Sequence, residues 1–104
     1  MKIFNTSFRG LKLIKSPSFN DKRGFFRELL RNSFFSNQKF KFWSVSNSNK
    51  NVLRGLHIQS KFQQAKFVSV LKGKIYDVVL DLRKKSKTYG KYHISILSEK
   101  NCTS

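Results

Sequence analysis

The sequence predicts an all-β fold of the sandwich or barrel type, in a single domain over residues 1–104. Three observations support this prediction. Apolar and polar residues alternate with a period of two in several short segments. These segments recur at regular spacing, which is typical of sandwiches and barrels. A chain of 104 residues, 38% of them hydrophobic, can form one modest core.

The N-terminal half contains two predicted strands and one predicted helix. LKLIKS at 11–16 is the first strand, and Pro17 is expected to end it, because proline restricts the backbone of the residue before it. FFRELLRNSFF at 25–35 is the one segment that predicts a short helix. KFKF at 39–42 alternates lysine with phenylalanine, as a strand with one solvent-facing side does.

The remaining predicted strands lie in the C-terminal half. NVLRGLHIQ at 51–59 has the pattern of a strand. AKFVSVL at 65–71 and IYDVVLDLR at 75–83 predict a hairpin around Gly73, because glycine can adopt the positive φ that a tight turn needs. YHISILS at 92–98 predicts a further strand.

The charge is strongly positive, with 22 Lys and Arg against 5 Asp and Glu and a net charge of +17. Such a balance is typical of nucleic-acid binding, but it also follows from a lysine-rich coding bias. The lysines are spread from Lys2 to Lys100 without a block of five like charges. This spacing argues against a nucleic-acid partner and favours a small anionic substrate.

Cys102 is the only cysteine, which excludes an internal disulfide framework and a cysteine metal site. No signal-peptide pattern opens the sequence, and no run of eighteen apolar residues suggests a membrane span. We therefore expect a cytoplasmic protein with a reduced thiol and no membrane partner.

Lys66 is the one unusual residue of the predicted hairpin, since it shares a strand face with Val68 and Val70. If that face points into a barrel, Lys66 is a buried cation that needs an anion to meet. If Lys66 lies at a strand end, its ammonium group reaches water instead. The pattern alone favours the second interpretation.

Four separated stretches together resemble the dTDP-4-dehydrorhamnose 3,5-epimerase family, cupin-type enzymes of deoxysugar and polysaccharide biosynthesis. They are DKRGFFRE at 21–28, NVLRGLHIQ at 51–59, QAKFVSVLKGKIYDVVLDLRKKSKTYGKY at 64–92 and LSEKN at 97–101. The resemblance covers the whole chain but only the N-terminal part of the family's length. It implies a cupin or jelly-roll-like barrel that is incomplete because the C-terminal strands are missing.

The resemblance implies an isomerase that inverts C3 and C5 of a dTDP-4-keto-6-deoxy sugar by removing protons α to the C4 ketone. His57 matches the family's general base, whose pKa range suits proton abstraction near neutral pH. Lys66 matches the lysine that stabilises the enolate oxygen, and Arg54 matches the arginine that meets the diphosphate. The family's chemistry needs no metal, flavin or nicotinamide. Gly55 is expected to let the chain twist so that Arg54 and His57 reach one pocket.

The same resemblance implies a homodimer. Arg23 and Glu28 match nucleotide-binding positions that the family lends across the dimer interface. Phe26 has two open interpretations, stacking on the thymine base or packing in the core.

The sequence departs from the family at two places. Phe42, Trp43 and Ser44 stand where the family has substrate-binding amides, so the substrate preference is expected to differ. Trp43 is interpreted as a stacking residue or, more simply, as a core or interface residue. The chain also stops at LSEKNCTS, before the family's second histidine, its tyrosine acid and the acidic partner of the base.

The second departure leaves His57 without an orienting carboxylate unless Asp77 or Asp81 replaces it. Pairing with Arg83 or a nearby lysine is the commoner fate of such aspartates. Three functions follow: an epimerase by descent whose isolated chain lacks part of the catalytic set, a non-catalytic nucleotide-sugar binder or assembly partner, and a basic nucleic-acid binder.

Overall fold

The computed structural model of the chain describes residues 1–35 and 39–104. Six strands form three antiparallel pairs. β1 (Lys2–Asn5) pairs with β2 (Lys12–Lys15), β3 (Ser18–Asp21) with β4 (Gly24–Arg27), and β5 (Lys74–Leu80) with β6 (Tyr92–Ser98). A short 3₁₀ turn, η1, spans Asn32–Phe34. The described residues are thus nearly all β or irregular, as the sequence predicts.

The described residues divide into two compact units. The first comprises Met1–Leu29 and Phe67–Ser104 and contains all six strands. The second comprises Leu30–Lys66 and contains η1. Within the second unit, the rings of Phe35 and Phe40 meet edge to face with centroids 5.5 Å apart.

β2 lies between β1 and the C-terminal residues of the chain. Ile14 and Ser104 exchange both backbone hydrogen bonds, at 2.8 and 2.9 Å, and Ser16 donates to the carbonyl of Cys102 at 3.0 Å. Ile14 is buried as a result. β2 begins within the predicted segment and ends two residues before Pro17, which confirms that prediction.

The β5–β6 pair is the longest, with seven residues in each strand. One face carries Ile75 opposite Leu97 and Val79 opposite His93. Leu97 is buried, and the ring of His93 packs against Phe8, with ring centroids 5.8 Å apart. Phe8, Ile14, Val70 and Leu97 are the buried hydrophobic residues among those that the structure describes. The core of the first unit is therefore small.

Four local predictions are wrong. Residues 25–35 form no α-helix, because β4 pairs with β3 through a turn at Asp21–Gly24 and only η1 follows. Residues 39–42 and 65–71 have strand-type patterns but form no strand. The predicted hairpin around Gly73 is also wrong, since β5 pairs with β6 and not with residues 65–71. Gly73 does adopt a positive φ of 86°.

NVLRGLHIQ at 51–59 is not a strand either. Its backbone is irregular and exposed throughout, and Asn51 and Gly55 both have positive φ. Within residues 1–35 and 39–104, no helix has the length and apolar character needed to cross a bilayer.

Candidate active site

The LRGLH segment is held from within its own unit by the side chain of Arg54. Nε of Arg54 donates to the hydroxyl of Ser48 at 2.7 Å, and Nη2 donates to the carbonyl of Asn47 at 2.9 Å. These bonds use one edge of the exposed guanidinium and leave Nη1 available. The remaining donors can meet an anionic oxygen, the role that the sequence predicts for this arginine.

Gly55 sets the position of the His57 ring. Its φ of 117° lies in a region that side chains rarely adopt. A methyl group built on Gly55 would lie 3.6 Å from Nδ1 of His57, so the imidazole folds back over the glycine. The backbone at Gly55 is not that of a regular strand, and this is compatible with the predicted twist of the chain at this residue. His57 itself is exposed.

Lys66 lies at the end of the second unit and is exposed. On the same alternate positions Val68 is 40% exposed and only Val70 is buried. The expectation of an inward, buried lysine is therefore wrong for this chain, because residues 65–71 form no strand that would point Lys66 into a barrel. Its ammonium group is solvated, as the alternative interpretation states.

The β3–β4 hairpin brings Arg23 and Phe26 together. Arg23 and Phe26 line a cavity of about 250 Å³ with Asp21 and Phe25. Asp21 accepts from the backbone N–H of Arg23 at 2.8 Å and from Nη2 at 2.6 Å. These bonds to the Arg23 side chain and backbone hold the pKa of the Asp21 carboxyl below its usual value. The hairpin tip is thus fixed by its own hydrogen bonds.

The aromatic side chains of this hairpin are unburied. Phe25 is 64% and Phe26 is 69% exposed, so Phe26 is not a core residue and its stacking interpretation is the one compatible with the structure. Glu28, the other residue predicted to contact nucleotide, follows β4 and is half-buried.

The carboxylate of Asp81 is hydrogen-bonded to residues of its own loop. Its carboxylate accepts from Nε and Nη2 of Arg83, both at 2.8 Å, and from the hydroxyls of Ser86 and Thr88, both at 2.6 Å. The Arg83 bonds, and then the two hydroxyls, hold the pKa of Asp81 far below its usual range. The expected pairing with Arg83 is confirmed, and Asp81 has no oxygen left to orient a histidine.

Asp77 is half-buried on the face of the β5–β6 pair that also carries His93. Burial raises the pKa of its carboxyl, and the nearby His93 opposes that rise. The histidine that influences the pKa of Asp77 is therefore His93 and not the predicted base, His57.

Phe42, Trp43 and Ser44 are all exposed, with Trp43 at 70%. Trp43 is therefore not a core residue, which leaves the stacking and interface interpretations. Among the described residues, no group of three or more histidine, cysteine or acidic side chains could hold a metal ion.

The predicted residues fall into two sets. Arg54, His57 and Lys66 belong to residues 30–66, and the structure places Arg54 and His57 on either side of Gly55. Arg23, Phe26 and Glu28 belong to the strand-containing unit, on or directly after one hairpin. Sequence reasoning predicted the pairing of Asp81 with Arg83 but missed the hydrogen bonds from Ser86 and Thr88, although the serine and threonine that follow the aspartate were their signal.

Known proteins are similar to this chain along most of its length. A family model described as dTDP-4-dehydrorhamnose 3,5-epimerase matches residues 5–104. A protein of that name from Neisseria gonorrhoeae is 41% identical over 97% of this chain and 32% of its own length. One from Methanothermobacter thermautotrophicus is 38% identical over 96% of this chain and 56% of its own length.

Solved structures match as well. The dTDP-6-deoxy-D-glucose-3,5-epimerase of Legionella pneumophila, in complex with dTDP-4-keto-L-rhamnose, superposes with a TM-score of 0.92 and 39% identity. The match covers 98% of this chain and 57% of that one. The dTDP-4-dehydrorhamnose 3,5-epimerase of Elizabethkingia anophelis gives a TM-score of 0.86 over 99% of this chain and 60% of that one. The fold is thus that of part of a cupin-like barrel, and the chain spans between one third and three fifths of these relatives.

Proposed function

Because the chain belongs to the dTDP-4-dehydrorhamnose 3,5-epimerase family, we propose that it acts on a dTDP-4-keto-6-deoxy sugar and abstracts protons at C3 and C5 of that substrate. One observation carries the proposal: the imidazole of His57 lies over Gly55, and Arg54, three residues before His57 in the chain, has a guanidinium anchored at one edge. These two side chains supply proton abstraction and phosphate binding, two of the functions that this reaction requires.

Each residue has one role in the proposed reaction. The C4 ketone acidifies the neighbouring C–H bonds, and neutral His57 takes a proton from the carbon, leaving an enolate. The ammonium group of Lys66 offsets the charge on the enolate oxygen. Return of a proton from water to the opposite face of the carbon inverts it, and His57 releases the proton that it took to water before the second carbon reacts. Arg54 holds the diphosphate during these steps through its free donors.

The β3–β4 hairpin supports a dimeric form of this site. Arg23 has a side chain that is 91% exposed, and Phe26 lies exposed beside it. An exposed cation and aromatic ring on a rigid hairpin suit recognition of a nucleotide, and Glu28 completes the proposed set. We propose that the hairpin contributes these residues to the pocket of a second copy. We also propose that residues 1–104 form one domain and that the protein is cytoplasmic.

Deuterium exchange tests the proposed base. The protein in D₂O with dTDP-4-keto-6-deoxyglucose should incorporate deuterium at C3 or C5, detected by NMR, and His57→Gln should abolish the incorporation. His93→Gln is the matched control, since His93 packs against Phe8 in the other unit. Equal rates in the two variants would contradict the role of His57.

The anchored guanidinium of Arg54, which leaves Nη1 for an anionic oxygen, favours a second candidate, a nucleotide-sugar binder without turnover. Saturable binding of dTDP by calorimetry, without any exchange, would support it. Arg54→Gln should then weaken binding by about tenfold or more, because charge-assisted hydrogen bonds to phosphate are lost. His57→Gln should leave dTDP binding unchanged.

A further inference from the structure

A cavity of about 620 Å³ lies in the strand-containing unit, and its lining includes none of the residues proposed for the epimerase chemistry. Its volume is within the roughly 300–1,000 Å³ range of small-molecule sites. The lining comprises four cationic side chains and three hydroxyl groups: Ser7, Arg9, Arg83, Lys85, Ser86, Lys87 and Thr88. No carboxylate and no apolar side chain is among these lining residues, which is unusual for an organic ligand. We call it the cationic cavity.

The loop between β1 and β2 forms one wall of the cationic cavity and is internally fixed. The hydroxyl of Thr6 donates to the carbonyl of Leu11 at 3.0 Å and accepts from the N–H of Phe8 at 3.1 Å. Phe8 is buried against His93. Arg9 follows Phe8 directly, so its backbone is held at the edge of the core.

The loop between β5 and β6 forms the other wall. Asp81 closes it at the base, donating its N–H to the carbonyl of Lys91 at 3.0 Å and accepting from the N–H of Gly90 at 2.8 Å. Its carboxylate binds Arg83, whose Nη1 also donates to the carbonyl of Arg9 at 2.7 Å. That last bond ties the two walls together, so the cavity is formed before any ligand arrives.

Three of the four cations that line the cationic cavity have no carboxylate partner among the described residues. Asp81 neutralises the fourth, Arg83, and its side chain is 1% exposed and also accepts from the loop hydroxyls. Within residues 1–35 and 39–104, no carboxylate forms a salt bridge with Arg9, Lys85 or Lys87. Arg9, Lys85 and Lys87 therefore line a rigid concave surface, and no carboxylate of the described residues neutralises them.

We propose that the cationic cavity binds a diphosphate group, as a second anion site independent of the epimerase site. Cations stand on both walls, Arg9 on one and Lys85 and Lys87 on the other, so two linked phosphates can be held from both sides. Arginine supplies a planar pair of donors, and lysine supplies mobile point charges for the remaining oxygens. None of the residues proposed for the sugar nucleotide takes part.

Calorimetric titration with inorganic pyrophosphate tests this site. A triple variant, Arg9→Gln with Lys85→Gln and Lys87→Gln, should bind pyrophosphate at least roughly tenfold more weakly than the wild type. The variant keeps the wall-to-wall bond, because that bond uses the carbonyl of Arg9 and not its side chain. Far-UV circular dichroism confirms that the variant folds.

A control with the same loss of three charges separates the cavity from the general field of a +17 chain. Lys2, Lys74 and Lys100 are exposed and lie at the opposite ends of their strand pairs. Their triple exchange to glutamine should change the affinity for pyrophosphate much less. Equal weakening by the two triple variants, or no saturable binding by the wild type, would overturn the proposal.

Two further ligands identify the source of the diphosphate. ADP binding as tightly as pyrophosphate means that only the phosphates are recognised, whereas tighter ADP binding means that the cavity accepts a nucleotide; both support a diphosphate site. A single-stranded RNA that binds more tightly than either, and loses affinity selectively in the cavity variant, would overturn it and reassign the cavity to nucleic acid. In every case, the incorporation of deuterium into the dTDP-sugar, which depends on His57, is unaffected in the cavity variant.

Discussion

Replacing Leu97 by alanine tests whether the small core of the strand-containing unit is placed correctly. Leu97 is 2% exposed on the inner face of β6, opposite Ile75. The substitution removes three carbon atoms, which at about 0.8 kcal/mol per buried methylene amounts to about 2.4 kcal/mol of lost transfer free energy. A residual cavity adds to this, so we expect the free energy of unfolding to fall by about 3 kcal/mol. That is a large share of the roughly 5–15 kcal/mol of a typical domain.

The neighbouring Ile96 provides the matched control. It lies on the opposite face of the same strand and is 47% exposed. Ile96→Ala also removes three carbons but loses only about half of their burial, so we expect about 1 kcal/mol. Urea unfolding followed by far-UV circular dichroism measures both changes from the midpoints.

Equal losses at the two positions would refute the assigned faces of β6, and a larger loss at Ile96 would reverse them. If Leu97→Ala does not fold, the milder pair Leu97→Val and Ile96→Val preserves the comparison. The expected loss is then about 1 kcal/mol at Leu97 and less at Ile96.

Three further predictions concern single residues. Arg27→Met should lower the free energy of unfolding by about 1–3 kcal/mol, measured in urea, because its guanidinium donates to the carbonyls of Val70 at 2.9 Å and Glu99 at 3.1 Å; an unchanged midpoint would contradict this. Gly55→Ala should shift the imidazole resonances of His57 in NMR spectra, because a side chain at φ 117° forces the turn to change; unchanged resonances would show that glycine is not required there. Burial raises the pKa of Asp77 above its ordinary 3.8, so the folded state holds the proton more tightly and stability falls as pH rises through the window from 3.8 to the raised pKa. Asp77→Asn should remove that fall, and identical pH profiles of unfolding free energy in both proteins would refute the assignment.

Sequence patterns predicted β2, β5 and β6 but missed β1, β3 and β4. β6 runs from Tyr92 to Ser98 as predicted, and β5 lies within the predicted 75–83 segment apart from its first residue. Both are rich in β-branched and aromatic residues, and the loop between them is rich in turn residues. The pairing of Asp81 with Arg83 was also predictable, because it is local.

The β3–β4 hairpin was missed because its strands are four residues long and both phenylalanines of β4 are exposed. The apolar run at 25–35 therefore looked like a helix. A better signal was present in the turn: Asp21 followed by Gly24 is the pattern of a type I turn, and Asp21 does accept from the N–H of Arg23. Local turn chemistry outweighed the apolar run.

The candidate site shows the same division between local and distant determinants. The residues of LRGLH were identified from their resemblance to a family, and the anchoring of Arg54 by residues 47 and 48 is local. The burial expected for Lys66 depended on a strand at 65–71, and that strand depended on a partner. Lys66 is therefore exposed because no strand forms at 65–71, and not because the residue is a lysine.

The unformed strands at 39–42 and 65–71 explain why alternation alone does not determine a β-structure. Alternation fixes which side chains share a face, but a strand exists only when a neighbour satisfies its N–H and C=O groups. β1, β3 and β5 each pair with the next strand along the chain. Residues 39–42 and 65–71 have no such neighbour among the described residues. A strand-type pattern therefore predicts a strand only where another segment of the chain pairs with it.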